Sequence, residues 1–128
     1  MDVDRLTDWL ERYFAAWRSN DGGDVAELFS ADATYSYGPF REAAIGRDAI
    51  VERWVGGGEP ADFTYRYEAL AIVADRGIAH WAVGFADPSS SGSRVEMDGI
   101  LVLTFDEAGL CTEHLEWYAT RQVEAPAS

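Results

Sequence analysis

Apolar residues recur at three- and four-residue spacing early in the chain: Leu6, Trp9, Leu10, Tyr13 and Trp17, with Phe14 widening the stripe. Asp8, Glu11, Arg12 and Arg18 fall mostly on the other side. That period predicts an amphipathic helix. Asp2 and Asp4 favour its N-terminus, and Ser19-Asn20-Asp21-Gly22-Gly23 ends it. A short second helix is predicted to open at Asp24, with Glu27 completing a weak capping box and Val25, Leu28 and Phe29 as its apolar residues. Ala33 to Tyr37 reads as a short strand closed by Gly38-Pro39. A third helix is predicted over Arg47 to Val55, on Ile50, Val51, Trp54 and Val55, and Gly56-Gly57-Gly58 stops it.

From Phe63 the period shortens to two. Phe63, Tyr65, Tyr67 and Ala69 alternate with Thr64, Arg66 and Glu68. Gly77 to Ala86 follows, with Ala79, Trp81, Val83 and Phe85 on one face and Ile78, His80, Ala82 and Gly84 on the other. After the Asp87 to Ser93 loop comes a long hairpin from Glu96 to Tyr118. Its first arm, Ile100 to Phe105, is apolar on both faces, and Asp106-Glu107-Ala108-Gly109 is its turn. Alternation along the second arm sets Cys111, Glu113, Leu115 and Trp117 against Thr112, His114, Glu116 and Tyr118. His114 and Glu116 thus share a face about 6–7 Å apart. Helices first and a meander of strands after them predict an α+β domain, with the helices on one face of an antiparallel sheet.

Composition narrows the function classes. The net charge is −13, from 23 acidic and 10 basic residues, so phosphate backbones and anionic lipid surfaces are repelled. No nucleic-acid or membrane partner is expected. Every basic residue is Arg, which removes Schiff-base and P-loop lysine chemistry. The one cysteine, Cys111, allows no internal disulfide and reads as a small buried hydrophobe. No signal-like segment precedes the first helix and no apolar run approaches transmembrane length, so the expected location is cytoplasmic.

The segments ERYFAAW (Glu11 to Trp17), DVAELFSADATY (Asp24 to Tyr35), GRDAIVERW (Gly46 to Trp54) and LTFDEAGLCTEHLEWY (Leu103 to Tyr118) resemble, in this order, the nuclear transport factor 2-like superfamily. That superfamily includes ketosteroid isomerases, SnoaL-like polyketide cyclases and scytalone dehydratase. The resemblance implies one SnoaL-like domain over residues 1–121, followed by a flexible tail over 122–128. It implies a cone-shaped curved sheet wrapped around the N-terminal helices, an apolar pocket in the cone, and a homodimer through the convex sheet face. Carried over residue by residue, the isomerase oxyanion tyrosine falls on Tyr13. The general-base aspartate falls on Tyr37 and the second oxyanion aspartate on Leu101, so that family's route to isomerisation is missing two groups. The same resemblance turns Met97, Gly99, Leu101, Leu103, His114, Glu116 and Tyr118 toward the pocket, with Trp81, Val83 and Phe85. His80, Asp98, Glu113 and Trp117 turn outward.

Tyr13, Tyr37, His114 and Glu116 are therefore the polar groups expected to converge. His114, helped by Glu116, is the candidate general base, and Tyr13 with Tyr37 the hydrogen-bond donors. Trp17, Trp54, Trp81, Val83, Met97, Leu101 and Tyr118 are the candidate pocket walls. His80 and Asp98 form a rival pair, which a one-residue bulge would turn inward. A metal site would need His80 and His114 on one face, against their parity, so neither metal nor cofactor is expected. These residues point to a cofactor-independent isomerase, cyclase, dehydratase or epoxide hydrolase acting on a small apolar molecule. The alternatives are a non-catalytic ligand-binding or dimerisation module and a protein-partner role like that of the transport factors.

Overall fold

The computed structural model describes residues 1–124. α1 (Val3–Ser19) buries the expected stripe of Leu6, Trp9, Leu10, Tyr13 and Phe14. Asp2 caps it, accepting from the Arg5 amide at 2.8 Å, and Asn20 ends it in a left-handed conformation. α2 (Gly22–Ala26) begins earlier than its sequence signal, because Asp21 rather than Asp24 is the cap. β1 (Phe29–Tyr35) also begins earlier than expected, so Phe29 joins a strand instead of a helix. A two-residue β2 (Ala44–Ile45) leads into α3 (Arg47–Gly56). The meander follows: β3 (Thr64–Val73), β4 (Arg76–Ala86), β5 (Ser93–Phe105) and β6 (Cys111–Glu124).

These strands form one open sheet in the order β2-β1-β6-β5-β4-β3. Its pairs are antiparallel except one: β1 runs parallel to β6, so the sheet is mixed where antiparallel pairing was expected. No hairpin joins these two strands; the whole meander lies between them, which leaves the parallel sense sterically available. The expected tail is shortened, since β6 continues through Glu124, paired with Ser93. Residues 125–128 lie outside the described residues.

The helices cover the inner face of the curved sheet. Leu101 and Leu103 are fully buried there, while Ile100 and Val102 are half-buried on the outer face. Trp81 and Val83 are buried likewise, with His80 and Ala82 outside. Each such large side chain withdrawn from water stabilises the fold by roughly 1.5–3 kcal/mol. Gly77 sets how closely α1 can lie: a Cβ there would stand 2.7 Å from Leu6 Cδ1. One face assignment changes. Thr104 pairs with Glu113 but Phe105 with Cys111, so Thr112 is an extra residue on β6. This bulge buries Cys111 on the same side as His114, where strict alternation sets them apart.

Candidate active site

The inner face of β6 supplies three successive side chains, and the sheet register gives each a row of neighbours. His114 pairs with Tyr35 of β1 on one side and Leu103 of β5 on the other. Glu116 pairs with Leu101, itself opposite Ala79 of β4. Tyr118 pairs with Gly99, itself opposite Trp81. Tyr37 follows two residues after Tyr35, beyond the end of β1, and its ring centroid lies 4.4 Å from that of Tyr35.

His114 is completely buried. Its ring stacks on Tyr35 at 3.6 Å between centroids, and its Nε2 lies 3.1 Å from Tyr13 Oη. Tyr13 Oη is also 2.8 Å from Tyr35 Oη. With one proton on each hydroxyl, Tyr13 donates to one of these neighbours and accepts from the other. Burial disfavours the imidazolium and pushes His114 down to about 3, so it is neutral at physiological pH. Burial also pushes both phenols well above their ordinary value. The sequence reading expected Tyr13 and His114 to converge, and here they are in contact. It missed Tyr35, although alternation from Ala33 through Tyr35 to Tyr37 carried that signal.

Glu116 is only 6% exposed and makes no ion pair among the described residues. Burial raises its carboxyl to about 8, against a smaller lowering by Arg41, so at neutral pH it is mainly the protonated acid. Among the described residues, Tyr37 Oη is buried with no hydrogen-bond partner, as are Trp81 Nε1 and His114 Nδ1. Buried polar groups are nearly always paired, so these three orphans are unusual. Above Tyr37 lie two guanidinium groups that the sequence did not single out. Arg41 is in the loop between β1 and β2, and Arg53 is on α3. Arg41 donates to Tyr118 Oη at 3.2 Å across the mouth of the cone. The loop that carries Arg41 has no hydrophobic period to betray it.

The expected walls are on the inner side, and they pack against one another. Trp17 lies 5.7 Å from Trp81 and Tyr13 5.2 Å from Trp54 between ring centroids. Val83 and Leu101 are buried, and Met97 and Tyr118 are packed against the core. Two grooves lie elsewhere on the surface. One of about 520 Å³ is on the sheet beside Arg66, Gly84, Arg94 and Asp98, and one of about 340 Å³ is beside Arg5, Trp9 and Gly109. The rival pair stays outside: His80 Nε2 is 2.8 Å from Asp98 Oδ1, its Nδ1 is 3.6 Å from Glu68 Oε1, and no bulge turns β4 or this part of β5 inward. Among the described residues, no three His, Cys, Asp or Glu side chains are grouped as a metal site requires. No described helix is long and apolar enough to cross a membrane.

Residues 10–114 match the SnoaL-like domain family, and the chain belongs to it. No match is found among curated proteins. Among solved structures, the chain is similar to SalBIII, an epoxide hydrolase/cyclase-like enzyme with a role in pyran ring formation in the polyether salinomycin. The TM-score is 0.74 at 18% identity, over 92% of this chain and 93% of that one. It is also similar to an LEH-like epoxide hydrolase of M. tuberculosis, with a TM-score of 0.72 at 12% identity, over 91% and 84% of the two chains. At such identities the likeness establishes the curved-sheet fold.

Proposed function

We propose that this chain is an enzyme that opens a small, mostly apolar epoxide by acid catalysis inside the cone, with Glu116 as the proton donor. The observation that carries this reading is the burial of Glu116 on the inner face of the sheet, beside Leu101 and without an ion pair among the described residues, which favours its protonated form near neutral pH. A protonated carboxylic acid in an apolar site is suited to donating into an oxygen that gains charge as its C–O bond breaks. The proton of Glu116 passes to the epoxide oxygen while a water or an internal hydroxyl attacks the carbon. The attacking group's proton then returns to the carboxylate, which restores the acid and completes hydrolysis or ring closure. Tyr37 Oη and Trp81 Nε1 are unpaired donors available to orient the substrate oxygen. The two structural neighbours, an epoxide hydrolase/cyclase-like enzyme and an LEH-like epoxide hydrolase, lend support to this reaction class.

This reading moves the proton-handling role from His114 to Glu116. A neutral imidazole closed in by Tyr13 and Tyr35 is a weak base with little room for a substrate. It positions the two phenols instead. The test is turnover of a panel of apolar epoxides and epoxy-alcohols by the wild type and by Glu116→Gln. The wild type should open at least one, and the variant should lose about a hundredfold or more in kcat while still binding. Equal turnover by the two proteins overturns the assignment.

The packing of Trp17, Trp54 and Trp81 favours a second reading, a non-catalytic binding or dimerisation module. In that case no panel member is opened, and Glu116→Leu raises stability at pH 8 without altering ligand binding.

A further inference from the structure

We propose that the mouth of the cone is a carboxylate seat, in which Arg41 and Arg53 select an apolar molecule bearing one carboxylate and direct its apolar body toward Glu116. This rests on the reading of the interior as a substrate site and specifies the class of substrate. The two guanidinium groups reach the mouth from different elements, the β1–β2 loop and α3, yet converge on one ring. Their central carbons lie 5.6 Å and 4.2 Å from the Tyr37 ring centroid.

Their hydrogen-bond partners are neutral oxygens. Arg41 donates to the Tyr118 phenol at 3.2 Å, and Arg53 to the Glu42 backbone carbonyl at 3.0 Å. Among the described residues neither takes part in an ion pair, whereas Arg12, Arg76 and Arg121 each face a glutamate. A guanidinium holds five N–H donors and meets a carboxylate with two parallel, charge-assisted bonds. A phenol is a much weaker acceptor for it, so an incoming carboxylate takes the place of Tyr118 on Arg41 and adds Arg53. Below the seat, Tyr35, Tyr37 and Trp54 form an aromatic floor suited to an apolar body. Glu116, held protonated by burial, brings little negative charge to oppose an anion there.

The test is calorimetric titration of the full chain at pH 7 and low salt with 1-naphthylacetate and with its isosteric amide, 1-naphthylacetamide. The acid should bind about tenfold tighter or more. In the Arg41→Gln/Arg53→Gln double variant the acid should fall to the level of the amide, with amide binding unchanged. Arg41→Lys, which keeps charge but not the planar fork, should retain part of the preference. Equal affinities in the wild type, a preference that survives the double variant, or no saturable binding of the acid overturns the proposal. Glu116→Gln should bind the acid as the wild type does. A failure of acid catalysis thus shows only in turnover, and a failure of the seat only in the acid-to-amide ratio.

Discussion

The two faces of this sheet each carry a histidine and a carboxylate, and the two pairs behave oppositely. On the outer face His80 is hydrogen-bonded to Asp98 and lies near Glu68, with 35% of its side chain exposed. On the inner face His114 and Glu116 sit two residues apart on one strand without bonding to each other. His114 turns to Tyr13 and Tyr35, and Glu116 is left in an apolar wall. Water solvates the outer pair and weakens its attraction. Its exclusion inside pushes the imidazole and the carboxyl in opposite directions, toward the neutral form of each. The lesson is that identity and spacing nominate a pair, while burial decides which member can move a proton.

Breaking the pairs one at a time tests this contrast. The largest difference is expected in catalysis: Glu116→Gln should remove about two orders of magnitude in kcat, and Asp98→Asn should leave it unchanged, as measured on the same epoxide. Next comes stability. His114→Ala opens a cavity, removes the ring stacked on Tyr35 and leaves the buried Tyr13 phenol short of a partner, which should cost about 3 kcal/mol in chemical denaturation. His80→Ala should cost less than about 1 kcal/mol.

A smaller effect follows from pH. Glu116 holds its proton up to about pH 8 in the folded chain but gives it up near its ordinary 4.5 when unfolded. Between those values the folded state carries more protons. Its contribution is therefore full below pH 4.5 and is lost as pH rises through about 8. From pH 6 to pH 8 the wild type should lose about 2 kcal/mol relative to Glu116→Gln, and Asp98→Asn should follow the wild type. His114, lowered to about 3, has the opposite sign: its contribution is present above its ordinary 6.5 and is lost as pH falls through 3. Tyr13→Phe, which removes one hydroxyl between Tyr35 and His114, should cost about 1 kcal/mol. A Tyr13→Phe loss as large as that of His114→Ala would mean that the hydroxyl, rather than the ring stack on Tyr35, holds the imidazole.

Much of this arrangement was legible in the chain. Period-two alternation separates Leu101, Leu103, Trp81 and Val83 from Ile100, Val102 and His80, because a face packed under helices tolerates little else. The same rule set His114 and Glu116 together, and the family resemblance turned Asp98 to the other face. Four things were not legible. The Thr112 bulge depends on how β5 and β6 meet at their turn, which alternation alone does not encode. The parallel β1–β6 seam joins segments whose sequence distance hides their contact. The opposite shifts of His114 and Glu116 depend on burial by segments that arrive from elsewhere in the chain, Tyr13 and Tyr35 against His114 among them. Arg41 escaped notice for a related reason: a loop has no period, and its value lies in where its end points.

The parallel seam also orders events in time. Tyr13 and His114 meet across 101 residues of chain, and Tyr35 reaches His114 only when the last strand docks beside the first. Contacts between such distant segments carry the largest loop-closure cost and tend to form late and slowly. The hairpins β3–β4 and β4–β5 can zip locally beforehand, but the phenol–imidazole cluster cannot. A ribosome-bound chain that has not yet released β6 therefore has no site, and the stacking of Tyr35 on His114 reports completed folding rather than early collapse.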